Sequence, residues 1–171
     1  MIMNPKVEET AIPAKSKIAE DIPGAYFYDC YQTPFDHAGI SAMQIYMNTF
    51  ARTPAWVNAL MGVRNRVVGL FGLKNLSGMK ALNKNNPADA YKPGDRAGIF
   101  SLVYKSDEEV ILCDSDKHLD VKVSVSKQTR DGLPYIAVTT VVHVHNTLGR
   151  VYMFFVGPAH KVIAPAVLAR A

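Results

Sequence analysis

Apolar and polar residues alternate through Leu119-Asp-Val-Lys-Val-Ser-Val125, a period of two that marks a strand with one buried face. Tyr135 to His145 is β-branched almost throughout and free of glycine, which predicts a second long strand. Between them, Thr129-Arg-Asp-Gly132 is a hairpin signal, because Asp-Gly suits a turn that needs positive φ. With Asp131 and Gly132 as a two-residue turn, Arg130 pairs with Leu133 and the ladder follows. Asp120 then faces His143 and His118 faces His145 on one side of the sheet. The other side carries Leu119, Val121, Val123 and Val125 with Val138, Thr140, Val142 and Val144. A slip of one residue would exchange the two faces. Both strands segregate in the same register, which supports it.

Upstream, Ala25 to Tyr31 is aromatic-rich and predicts the first strand. From Ser41 the period becomes helical, with Met43, Tyr46, Met47 and Phe50 on one side. Thr53-Pro54 signals the start of a second helix. Trp56, Leu60, Val63, Val67, Leu70 and Phe71 read as its buried stripe, with Arg64 and Arg66 reaching solvent. Strands resume over 98–104 and 110–113. The stretch 72–97 is irregular, a length at which internal connections often serve as lids or binding loops.

Downstream, Asn146 to Gly149 reads as a turn and Arg150 to Val156, rich in aromatic and β-branched residues, as a returning strand. Gly157-Pro158 stops that strand and opens a helix to about Arg170, bent at Pro165. The competing pattern is one helix from Leu148 to Ala171, against which the Gly-Pro pair and the aromatic run argue. His160 and Lys161 interrupt the apolar run, so no transmembrane segment is expected.

The length of 171 residues predicts one domain, 24–171, behind a loosely ordered arm, 1–23, that has three prolines and no periodicity. Hydrophobic content of 49% and 20% charged residues are ordinary for a globular chain. A net charge of +4 does not single out nucleic acid, and no strand interleaves basic and aromatic residues. Cys30 and Cys113 lie far apart and outside any metal-binding spacing, which fits a reducing compartment. No signal-peptide pattern opens the chain, so the expected location is cytoplasmic. Glycine-rich nucleotide loops, Cys-x-x-Cys and the Gly-x-Ser-x-Gly elbow are all missing, so no cofactor is expected.

One constellation could carry chemistry. His118, Asp120, His143 and His145 fall within cross-strand reach, where they could share a proton or bind a metal. The bland alternative is a satisfied polar cluster on the sheet's outer face. His37 and His160 read as solvated or edge-of-core residues.

Four segments carry a resemblance: Tyr91-Lys-Pro-Gly-Asp-Arg-Ala-Gly98, Asp116-Lys-His-Leu-Asp120, Thr139 to Tyr152, and Gly157-Pro-Ala-His160. Through them the chain, over roughly 24–171, resembles a bacterial family of unknown function numbered 2867. Its order of elements is similar to the helix-grip fold of the START and birch-pollen-allergen superfamily (SRPBCC). The resemblance implies an α+β fold, a curved antiparallel sheet wrapped on a C-terminal helix, with two helices after the first strand. It also implies a small hydrophobic ligand or lipid in a cavity between sheet and helix. Met43, Trp56, Met153 and Phe155 would form its wall and the stretch 72–97 its lid. Two alternatives stay open. One is a cyclase- or hydratase-like or metal-dependent enzyme, with His143 and Asp120 as an acid–base pair assisted by His118 and His145. The other is an interaction module with a filled core.

Overall fold

The Asp131–Gly132 turn sets the sheet. Asp131 has φ 53° and Gly132 φ 76°, both in the left-handed region that a two-residue hairpin turn requires. The computed structural model describes residues 6–70, 82 and 85–171, the side chains of 67 and 68 excepted. The strands are β1 (Glu8–Glu9), β2 (Phe27–Pro34), β3 (Arg96–Ala97), β4 (Phe100–Lys105), β5 (Glu109–Ser115), β6 (Leu119–Arg130) and β7 (Leu133–Val144). Three helices accompany them, α1 (Ala42–Ala51), α2 (Ala55–Gly69) and α3 (Thr147–Leu168). The strands form one antiparallel sheet in the order β1-β2-β7-β6-β5-β4-β3. In β6–β7, Arg130 pairs with Leu133, Asp120 with His143 and Leu119 with Val144, the register the alternation predicts. The fold is α+β and helix-grip-like, with the C-terminal helix packed on the sheet.

The end of the chain departs from its sequence pattern. Arg150–Val156 is not a strand; it lies inside α3, one helix of 22 residues. Asn146 caps that helix, its side-chain oxygen accepting from the Gly149 amide at 3.0 Å. Pro158 and Pro165 both lie within it. The carbonyls they leave without a donor are those of Phe154 and Lys161, four residues earlier, and both residues are exposed. Water can satisfy those carbonyls, so neither proline ends the helix. Gly149, Met153 and Gly157 repeat every four residues and are buried against the sheet. At Gly149 a Cβ would lie 2.5 Å from the His118 carbonyl oxygen, so only glycine permits this approach. By length and composition alone α3 could cross a bilayer. Here one of its faces packs on β2 and β7.

The stripe expected to bury α2 also needs correction. Trp56, Leu60, Val63 and Leu70 are exposed, whereas Val57 is fully buried and Met61 packs against the core. The inward positions are 57, 61 and 64, one step round the helix from the apolar stripe. Val67 and Phe71 fall outside the described side chains.

The main core lies between the valine face and α1, where Met43, Ile45 and Tyr46 are buried against Leu102, Leu112 and Val125. Tyr46 donates to the Ala97 carbonyl at 2.8 Å. Lys105 donates to the carbonyls of Ala88, Asp89 and Tyr91 at 2.9, 3.1 and 3.0 Å, holding the chain just before β3. The opposite face is covered by residues 6–26. Ile18 packs there on Ile111 and Val141. Buried Glu109 accepts from Ser16 Oγ at 2.5 Å, the Lys17 amide at 2.7 Å and Ser124 Oγ at 2.6 Å. The segment read as a loosely ordered arm is thus, from Lys6 onward, joined to the sheet by a strand pair and a buried carboxylate.

Candidate functional site

The valines of β6 and β7 are spaced for a packed interface, yet α3 does not close on all of them. A cavity of about 210 Å³ remains between the sheet and the three helices. Val121, Val123, Val138 and Val142 form its floor, and Met153, Ile163 and Val167 of α3 its roof. Phe50 of α1 and Met61 of α2 close one side. Polar groups also reach the wall. Arg64 Nε donates to the Tyr152 hydroxyl at 2.9 Å, with the guanidinium 5.4 Å from the ring centre.

A second polar group lies where β2, β7 and α3 meet. Asp29 pairs with Thr140 in the β2–β7 ladder, so both side chains project towards α3. His160 comes down from α3, its Nδ1 3.3 Å from Asp29 Oδ2 and its Nε2 3.3 Å from Thr140 Oγ1. The Phe27 ring meets the imidazole edge-on at 5.6 Å. His160 and Thr140 line the cavity, and Asp29 stands behind them. Asp29 is buried, and neither of its oxygens has a hydrogen-bond donor in good geometry. Burial pushes its carboxyl up to about 6, helped by the negative charge of Glu9 and opposed by Lys161 and Thr140. Burial moves His160 the other way, below the usual imidazole value. Near neutral pH the pair is therefore a carboxylate beside a neutral imidazole.

The residues singled out from the sequence are spread more widely. Asp120 and His143 are directly opposed, but on the face away from the cavity. Asp120 instead meets His145 Nε2 at 2.9 Å and accepts from Ser115 Oγ. His143 turns towards the Pro23 carbonyl, 3.4 Å from Nε2. His118 is buried against the Asn146 amide, 2.9–3.1 Å from Nδ1. Of the four, the structure joins only Asp120 and His145. Among the described residues no group of three or more His, Cys, Asp or Glu could hold a metal. Of the expected cavity wall, Met153 lines the cavity. Met43 is fully buried in the core, and Trp56 and Phe155 are exposed. Much of the expected lid, 72–81 with 83 and 84, lies outside the described residues.

Asp29 is not singled out by the sequence and His160 reads there as a solvated or edge-of-core residue, although each leaves a trace of its place on the cavity side. Asp29 sits at the alternate position between Phe27 and Tyr31, a charge on the apolar side of a strand. His160 falls on the Met153–Gly157–Ala164 stripe once α3 is read as one helix.

Over residues 22–167, most of the chain, the sequence matches a family described as a protein of unknown function (DUF2867). No curated protein and no solved structure matches it.

Proposed function

The chain belongs to the DUF2867 family, whose description assigns no activity, and we propose a function for it from the cavity: it binds a small hydrophobic molecule or lipid between its sheet and α3. The observation that carries this is the cavity itself, about 210 Å³ and walled largely by aliphatic and aromatic side chains. Apolar surface left unpacked in this way is destabilising, a loss that larger side chains would have reduced. A cavity of about 150 Å³ already accepts benzene, so there is room here for a compact ring system. Kinship with the START and birch-pollen-allergen superfamily is part of the proposal and points the same way, since that fold commonly encloses apolar ligands. We also place the protein in a reducing cytoplasm, in keeping with its two free cysteines.

An enzyme built on the outer-face histidines draws less support. His145 and Asp120 stand across the sheet from the cavity, and His118 and His143 have other partners. A filled-core interaction module would have no use for the cavity.

Native mass spectrometry of the purified protein tests the binding proposal. A small-molecule adduct lost on denaturation is expected. Ala164→Phe, which directs a ring from α3 into the cavity, is expected to abolish the adduct and raise stability by about 1 kcal/mol. An adduct unchanged by that substitution would place the ligand elsewhere. A bare polypeptide mass would count against binding.

A further inference from the structure

We propose that Asp29, His160 and Thr140 form a proton-accepting end to the cavity, and that its ligand is an apolar molecule bearing one weakly acidic hydroxyl, of the phenol or enol kind. The inference rests on the binding proposal above and adds the chemical class of the ligand.

The geometry of the three groups carries it. Asp29 Oδ2 lies 3.3 Å from His160 Nδ1, outside hydrogen-bond geometry, and the negative charge beside that nitrogen favours the neutral tautomer with its proton on Nδ1. Nε2 is then the acceptor, facing Thr140 Oγ1 at 3.3 Å, longer than a typical hydroxyl bond. Both groups are on the cavity wall. A ligand hydroxyl can donate to Nε2 while its oxygen accepts from the displaced Thr140 hydroxyl. One such group satisfies both neighbours. A ketone or ether would accept from Thr140 and leave Nε2 unmet.

Asp29 explains the preference for an acidic hydroxyl. When the proton moves, the ligand O–H bond breaks with its electron pair left on oxygen. The new N–H bond forms at Nε2, and the imidazolium is balanced by the Asp29 carboxylate. Neither oxygen of that carboxylate has a hydrogen-bond partner in good geometry among the described residues, so a positive charge on the imidazole 3.3 Å away offsets part of the cost of its burial. Burial keeps His160 neutral before the ligand arrives and opposes the imidazolium, a cost that the adjacent Asp29 carboxylate offsets when the proton moves. The charged groups acting on Asp29 are Glu9 of β1 and Lys161 of α3. Arg64, Asp114 and Asp116 line other parts of the wall. The edge-on Phe27 ring fixes the imidazole plane.

Titration of the full chain with 4-nitrophenol and with nitrobenzene, followed by calorimetry and absorbance at neutral pH, tests this. Wild type is expected to bind the phenol about ten-fold more tightly, the worth of one charge-assisted hydrogen bond, with the bound dye more ionised than the free dye at the same pH. In His160→Leu the preference is expected to vanish while nitrobenzene still binds. If that variant does not fold, Thr140→Val should cut the preference by about three-fold, the share of one neutral hydrogen bond. Equal wild-type affinities would overturn the inference and leave the binding proposal standing. A preference that survives both substitutions would also overturn it. Failure of both probes to bind would count against cavity and polar end together.

Discussion

The protein holds two His–Asp pairs on opposite faces of one sheet, and they differ in everything except composition. Asp120 and His145 come from β6 and from the end of β7, meet at 2.9 Å and leave 31% and 43% of their side chains exposed. Asp29 and His160 come from β2 and α3, meet at 3.3 Å and leave only 2% and 22% exposed. The closer pair is the weaker device. Water screens it, and exposed pairs of this kind contribute about 0–1 kcal/mol. The longer contact sits where water cannot compensate a charge, so burial moves the protonation of both partners. Environment, more than distance, decides what a pair of titratable groups can do.

The strongest way to break the contrast is to lift α3 from the sheet. Gly149→Ala sets a Cβ against the His118 backbone and Val144, and an overpacked contact with backbone should cost about 3 kcal/mol in urea denaturation. Its Asp29–His160 contact should loosen as the helix shifts, seen as a changed His160 imidazole signal by NMR. Wild-type stability would mean that α3 docks without that close approach.

Asp29→Asn tests the inner pair directly. Asp29 has a raised value when folded, so its contribution to stability is full below about pH 4 and is lost as pH rises through about 6. His160 is lowered, so its contribution is present above about 6.5 and is lost as pH falls through its folded value. The two oppose one another where these ranges overlap, as the Asp29 contribution falls and the His160 contribution rises with pH. Two pK units correspond to about 3 kcal/mol, and the variant also gives up an attraction to His160. Asp29→Asn should therefore gain about 2 kcal/mol over wild type near neutral pH and almost nothing near pH 4. Denaturation midpoints at both pH values check this. A gain of the same size at both would assign the effect to packing.

The smallest effect belongs to the outer pair. His145→Ala should change stability by about 0.5 kcal/mol or less and leave any cavity adduct in place. Loss of the adduct would return the outer face to consideration as the site.

The register of β6–β7 was legible because it depends on neighbours in the chain. Asp131-Gly132 makes the turn, and the alternation from Leu119 to Val125 admits one pairing that keeps valines together. The helix α1 was legible for the same reason, with Met43, Tyr46 and Met47 buried on its predicted side. The end of the chain was not. Tyr152 to Val156 has strand composition, and Gly157-Pro158 has the look of a boundary. Asn146 and the four-residue repeat of Gly149, Met153 and Gly157 were the local signs of a helix, outweighed by propensity until a sheet was there to receive them. In α2 the apolar stripe and the buried side differ because Met61 and Arg64 face the cavity while Trp56 and Leu60 do not.

The sequence by itself determined the two long central strands, their pairing register, the two faces they present and the family, since these follow from side-chain periodicity, turn chemistry and matched residues. Only the tertiary structure decided that α3 is one helix, that a cavity remains beneath it, and that Asp29 and His160 share its polar end. Those three depend on packing between segments distant in the chain and on the exclusion of water that packing brings. No local pattern of residues encodes either.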